Sequence, residues 1–366
     1  MDSPFIYNNI VMGSDFIART SEINLLSSLI REQKCAVIYE PAKSGKQSFI
    51  QQTFQKLRNE SHKFKVCNIN LFNVRTEEVL YRKLEEALLE TFKTTSLGAA
   101  ERPFEGKHGT PAELLMLAEK LSEETGSYLV IYIEEFQEIL HFDDPDKALK
   151  GFEQACLSLL GKNSDGEIVP GTPKRRSSMI FSGSFVNAMK EIFERRKFFY
   201  NMAQRVKLAK IDERSFTEHI IRSFLKAGRV VPKDLAQHIY SLTDGHPWYT
   251  QQLADTAFGL TRGYLMESII NQAFELLMEL HSYRFRLVTS RLSLFQLNML
   301  KAILDGAEKL SAAETMSKYE LQSSANVNRL KEALEKKEII EFTKKGAEFL
   351  DPLFKTWMKE KYFGNI

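Results

Sequence analysis

Six consecutive apolar residues, "YLVIYI" at 128–133, constrain this chain more than any other stretch. The run is too short for an ordinary helix and rich in β-branched and aromatic residues, and it stops at the charged pair Glu134 and Glu135. A strand with one solvated face alternates apolar and polar residues. A strand with no alternation is buried on both faces, the situation of a parallel sheet covered by helices. Four further runs fit the same sheet: "CAVIY" at 35–39, "KFKVCNIN" at 63–70, "SSMIFSG" at 177–183 and "RVKLAKI" at 205–211. Helical periodicity fills the intervals. Phe49, Ile50, Phe54 and Leu57 share a face over 45–58, Thr76 is placed to cap "EEVLYRKLEEALLETF", Pro111 opens "AELLMLAEKLSEE", and a further helix covers about 146–161. Alternating strands and helices predict βαβ units and an α/β fold.

Past Ile211 the strand signals fade, and residues 212–280 read as several helices interrupted at "GRVVP" and "TDGHP". From about Leu292 the pattern changes again. Helices at 293–304 and 311–320 precede a helix capped by Ser323 or Ser324, with Val327, Leu330 and Leu334 on one face, and then a hairpin around "KKG". Three helices and a hairpin form a winged-helix pattern. The predicted divisions are a core at 1–211, a helical lid at 212–285 and a winged helix at 286–366. The Gly-, Pro- and Ser-rich stretch 161–178, ending in Lys-Arg-Arg, reads as an exposed loop, as does 93–110.

Bulk properties exclude several classes. A net charge of +2 gives no general attraction to nucleic acid. No apolar run reaches the roughly 18 residues that would span a membrane, and "MDSPFIYNNI" lacks the features of a signal peptide. Cys35, Cys67 and Cys156 are too few and scattered for a disulfide framework, so buried thiols and a cytoplasmic setting are expected. No histidine or cysteine spacing suits a structural zinc.

The chemistry gathers where strands end. "YEPAKSGKQSFI" at 39–50 joins a buried strand to a helix, the context of a phosphate-binding loop. There backbone N–H groups and the helix N-terminus cradle phosphate oxygens, and Lys46 reaches the β and γ phosphates, with Lys43 and Ser44 adding charge and donors. The alternative is an ordinary strand–turn–helix with an exposed lysine. Glu134 and Glu135 end "YLVIYI" at the sheet edge that faces ligands in open α/β folds. The first would hold the Mg²⁺ shell and the second polarise the attacking water; alternatively both simply start a helix. "IFSGS" places Ser182 or Ser184 beside them, to bond phosphate or water, or to cap the next helix.

The set resembles the STAND-like branch of the AAA+ P-loop ATPases, the archaeal-type ATPases. "PFIYNNIVMGSDFIARTSEINLLSSLI" is similar to the family's opening Pro-Phe and Phe-x-x-Arg-x-x-Glu box, here Phe16, Arg19 and Glu22. The loop, "YIEEFQEI", "FSGS", the lid motif "DGHPWYTQQLA" and the C-terminal "LDPLFKTWMKE" follow in the family's order. The resemblance implies an adenine-side segment at Phe16 and Arg19, a lid helix packing on the base at Pro247, and ATP or ADP with Mg²⁺ as ligands.

The sequence departs from the family's loop at Gln47, which replaces the metal-binding hydroxyl, and at Glu40, which replaces the first glycine. Ser48 cannot substitute for that hydroxyl, because one residue along a helix turns the side chain by about 100°. A carboxylate near phosphates costs on the order of 1 kcal/mol or more. Glu134 stands for the usual Asp, and Gln47 and Glu134 are the candidate metal ligands, with Glu135 and Lys46 the candidate catalytic pair. Arg205 is the candidate finger, with Arg195 and Arg196 behind it. Residues 323–338 carry Arg329, Lys331, Lys336 and Lys337 against Glu332, Glu335 and Glu338, with Lys344 and Lys345 at the wing tip. That mixed face fits DNA less well than a protein partner or packing within the chain. The expectation is a nucleotide-dependent switch with slow hydrolysis; the alternative is a DNA-binding or protein-interaction module with a vestigial loop.

Overall fold

The computed structural model describes residues 3–93, 109–159, 175–200 and 202–364. Most of the loops expected at 93–110 and 161–178 lies outside these residues. The chain forms two compact units.

One unit comprises residues 19–42 and 49–208. In chain order it holds α1 (Thr20–Arg31), β1 (Cys35–Tyr39), most of α2 (Lys46–Asn59), β2 (Phe64–Asn70), α3 (Glu77–Thr91), α4 (Pro111–Thr125), β3 (Tyr128–Glu134), α5 (Pro145–Leu159), β4 (Ser177–Gly183), α6 (Val186–Lys190) and β5 (Ala203–Arg205). The strands make one sheet in the order β2-β3-β4-β1-β5, and every pairing is parallel. The run "YLVIYI" forms β3, an interior strand flanked by β2 and β4, and every residue from Leu129 to Glu134 is buried. Thr76 caps α3 by accepting from Val79 N at 3.3 Å, and Thr110 with Glu113 forms a capping box on α4. Phe181 of β4 interlocks with Phe136, with Phe152 of α5 and with Phe199, and the Phe136 and Phe181 rings are 4.7 Å apart. All three cysteines are buried and free.

The last strand differs from expectation. A strand over 205–211 is predicted, but pairing covers only 203–205, with Val206 N reaching Val37 O at 2.9 Å. β5 is an edge strand. Val206 and Leu208 still point inward and Lys207 outward, so the period-two pattern is real but continues past the residues that find a partner.

The second unit comprises residues 3–18, 43–48 and 209–364 of those described. Four helices come first: α7 (Glu213–Lys226), α8 (Lys233–Leu242), α9 (Pro247–Leu260) and α10 (Glu267–Thr289). Then come α11 (Leu294–Leu304), α12 (Ala313–Lys318), α13 (Ser324–Lys336), the antiparallel hairpin β6 (Ile340–Thr343) and β7 (Gly346–Phe349), and α14 (Pro352–Trp357). Ser323 is the cap of α13, accepting from Asn326 N at 3.2 Å. α10 runs unbroken across the boundary expected at 285/286. Phe285, on α10, packs against the rings of Phe354 and Trp357 from α14 at 5.4 and 5.6 Å.

Two buried histidines predict an acid-sensitive unit. Gln251 Nε2 donates to His219 Nε2 at 3.4 Å, and His281 Nε2 donates to Gln252 Oε1 at 2.8 Å. Burial, reinforced by Arg222 at His219 and Arg284 at His281, lowers both from 6.5 to about 4. Both rings are therefore neutral in the folded state, while the unfolded chain takes up protons below about pH 6.5. Their stabilising effect is complete above pH 6.5 and is lost as pH falls toward 4, on the order of 2–3 kcal/mol for each ring. Urea midpoints measured between pH 7 and 4.5 are expected to fall steeply, and His281→Gln to flatten the slope. An unchanged slope in that variant would contradict this origin.

Candidate functional site

Residues 40–45 link β1 to α2. Lys43 and Gly45 have φ of +63° and +87°, so the backbone changes hand twice just before the helix begins at Lys46. Such alternation aims successive N–H groups at a common anion site, and a helix N-terminus adds its dipole. Gly45 supplies its positive φ without strain, whereas Lys43 adopts the same region at a cost of about 1 kcal/mol or more. Lys46 is 9% exposed, while Gln47 is exposed. Two contacts tie this loop within its own unit. The Lys43 ammonium lies 5.3 Å from the Trp248 ring on α9, and Val11 N donates to Ser48 Oγ at 3.0 Å. The Ser48 hydroxyl thus serves the N-terminal segment.

Glu40 is turned toward β5. Arg205 Nη2 and Leu208 N both donate to its Oε1, at 2.9 and 3.0 Å. Arg205 also donates to Tyr39 O at 2.5 Å, and its guanidinium lies 3.4 Å from the Tyr39 ring centroid. The extra carboxylate of the loop is therefore neutralised by the arginine read in sequence as a finger. Charge-assisted bonds of this kind contribute about 1.5–3 kcal/mol each, enough to offset the repulsion expected of Glu40. Arg195 pairs with Glu191 at 3.6 Å, and Arg196 with Glu191 and Asp146 at 2.9 and 2.6 Å.

The carboxylates at the end of β3 are held individually. Glu134 is 7% exposed, and its Oε1 accepts from Asn68 Nδ2 of β2 at 2.9 Å. Glu135 sits at φ +54°, which swings its side chain away from the strand direction. Its Oε2 accepts from Ser184 Oγ at 2.5 Å, Ser184 N at 3.2 Å and Gln137 Nε2 at 2.7 Å. Ser184 does not cap the next helix: Phe185 occupies that N-cap without a side-chain bond. Ser182, two residues earlier and within β4, donates to Tyr132 Oη at 3.2 Å in the buried interior. No motif in the sequence marks Asn68 or Gln137. The register Asn68↔Tyr132, which sets Asn68 near the end of β3, is a long-range fact no local pattern encodes.

The expected adenine-side residues are placed as follows. Phe16 is half-buried and follows a turn at Gly13–Asp15. Ala18 and Arg19 both have positive φ, at 57° and 64°, and Arg19 is buried as the N-cap residue of α1. Burial lowers the Arg19 guanidinium from its usual range, opposed by Glu22 and Glu40. Consecutive left-handed non-glycine residues store strain of the sort found in binding segments. Upstream, Phe5 is buried among His219, Phe224 and Phe258, and Tyr7 Oη donates to Asp255 at 3.2 Å. In the lid motif Pro247 is the first residue of α9. Gly245 has φ +62°, and a Cβ there would come within 2.3 Å of the Tyr240 ring, so glycine is required twice over. Nothing in "GHPWY" marks Trp248 for a role, which emerges only from its contact with Lys43.

Residues 283–360 match the family described as a probable winged helix domain. No curated relative matches the chain. Among solved structures it is similar to a Walker-type ATPase of Pyrococcus abyssi, at 18% identity and a TM-score of 0.70 over 97% of this chain and 99% of that one. It is also similar to the Aeropyrum pernix ORC2 protein in ADPNP–ADP complexes, at 13% identity and a TM-score of 0.62, covering 98% of each chain. A third is the Aeropyrum pernix ORC1 protein in complex with DNA, at 12% identity, a TM-score of 0.51 and coverage of 100% and 99%. The chain therefore shares the P-loop fold of these structures, with a five-stranded parallel sheet, and carries a C-terminal winged helix domain. Among the described residues no helix is long and apolar enough to cross a membrane.

Proposed function

We propose that this chain is a nucleotide-dependent switch that binds ATP or ADP and hydrolyses ATP slowly. One observation carries the reading: Lys46 is buried at the N-terminus of α2, directly after left-handed Gly45, at the end of a parallel strand in a P-loop fold. The ORC2 neighbour, in ADPNP–ADP complexes, supports the ligand class. In this reading the loop's N–H groups and Lys46 hold the phosphates. Lys43 and Trp248 join the loop to α9, so occupancy is expected to bear on the lid. Pro247 and the Phe16–Arg19 segment belong to the base side.

The donor set fits a magnesium–nucleotide only loosely. Among the described residues no group of three or more His, Cys, Asp or Glu side chains is arranged to hold a metal. Magnesium bound through phosphates needs only one or two protein ligands, and Glu134 is a buried carboxylate with one oxygen held by Asn68. Gln47 offers an amide oxygen in place of the hydroxyl. When bound, magnesium would neutralise phosphate charge. Glu135 would orient water, but its Oε2 is already held by Ser184 and Gln137. Slow turnover follows. Titrating purified protein with ADP and ATP, with Mg²⁺ and with EDTA, is expected to give affinities that change little with the metal. An affinity that collapses in EDTA would contradict the loose metal site.

The ORC1 neighbour, in complex with DNA, motivates a second reading in which the winged helix binds DNA. The charges favour a protein partner instead. Lys331 lies over the Phe342 ring at 5.4 Å, and Lys337 Nζ donates to Arg291 O at 3.2 Å, which leaves Arg329, Lys336, Lys344 and Lys345 as exposed cations interspersed with Glu332, Glu335 and Glu338. Retention of duplex DNA at physiological salt, lost on Lys344→Glu with Lys345→Glu, would reverse that preference.

A further inference from the structure

α10 carries an exposed apolar seam that the nucleotide reading leaves unexplained. Its inner face packs in the unit's core. On the outer face Leu276, Leu280, Tyr283 and Leu287 are 46, 70, 74 and 42% exposed. They are spaced four, three and four residues apart, which keeps them within about 60° of one another around the helix. That alternation is the a/d seam of a coiled coil. Contiguous apolar surface of this kind marks a contact site.

We propose that this seam pairs antiparallel with the same seam of a second copy of the chain. The charges beside it argue for that occupant. Glu279 and Arg286 lie on the same flank of the seam, two turns apart, and both are exposed. A two-fold axis midway between Leu280 and Tyr283 sets Leu280 of one copy on Tyr283 of the other, and Leu276 on Leu287. The same operation brings Glu279 of each copy to Arg286 of the other, so the flank is complementary to itself only when reversed. Parallel pairing would instead need Arg284 for Glu279. Arg284 sits on the opposite flank and is held by Asp351 Oδ2 at 2.9 Å and by Tyr249.

Sedimentation equilibrium of the full chain tests this. The wild type is expected to move from one toward two chain masses as concentration rises. Leu280→Glu with Tyr283→Glu is expected to stay monomeric with an unchanged melting temperature, since both side chains point outward. Glu279→Arg and Arg286→Glu singly are expected to weaken the dimer at least tenfold, and the double variant to restore it. A wild type monomeric at every concentration would overturn the proposal and leave the seam to another protein's helix. A dimer that survives the Leu280/Tyr283 variant would overturn it too, as would one weakened by Glu279→Arg but indifferent to Arg286→Glu.

Discussion

Lys46→Ala is expected to weaken ADP and ATP binding by 100-fold or more while the protein remains folded. The magnitude follows from what the side chain offers. An ammonium held nearly out of solvent at a helix N-terminus makes charge-assisted hydrogen bonds worth about 1.5–3 kcal/mol each, and two such bonds to phosphate exceed the roughly 2.7 kcal/mol that 100-fold requires. The fold should tolerate the change, because alanine is the best helix former and the hydrophobic contacts of α2 come from Phe49, Ile50, Phe54 and Leu57, all fully buried. Calorimetric titration with ADP reads the affinity, and a thermal melt confirms the fold. A variant that binds as tightly as the wild type would remove the loop from the site.

Gln47→Thr is expected to raise phosphate release at least tenfold and make it depend on magnesium. The wild-type side chain at this position is an exposed amide, a weak ligand for a small, hard cation that favours near-ideal octahedral oxygen geometry. A threonine hydroxyl at the second position of α2 restores the ligand this loop type uses. Glu135→Gln in the same background should return release to the background rate, because the amide cannot take up the proton of the attacking water. If Gln47→Thr leaves the rate unchanged, the limit lies elsewhere. The first suspect is then the Glu135 carboxylate, whose Oε2 accepts from Ser184 and Gln137.

Much of the fold is legible because its signals are local. "CAVIY" and "SSMIFSG" are strands over those very residues, and Thr76, Pro111 and Ser323 mark helix starts through chemistry confined to one turn. The winged helix is legible for the same reason, since Val327, Leu330 and Leu334 repeat at helical spacing before a short hairpin. The extent of β5 is not, because a strand ends where its partner ends. The loop's position between β1 and α2 can be read, but the fate of its odd residue cannot. Glu40 looks like a defect until Arg205, 165 residues away in sequence, is seen to bind it. Ser184 likewise offers several roles in sequence, and only the pairing of β3 with β4 sets it against Glu135. The seam on α10 is written in the sequence at regular spacing, but so is the helix's buried face. Only burial tells which of the two lacks a partner.

The most direct measurement is a calorimetric titration of ADP into the purified full chain in the presence of EDTA. Saturable binding to one site per chain, weakened at least 100-fold by Lys46→Ala, is the expected result. No binding of ADP, and none of ATP, to the folded wild-type protein would contradict a nucleotide switch outright.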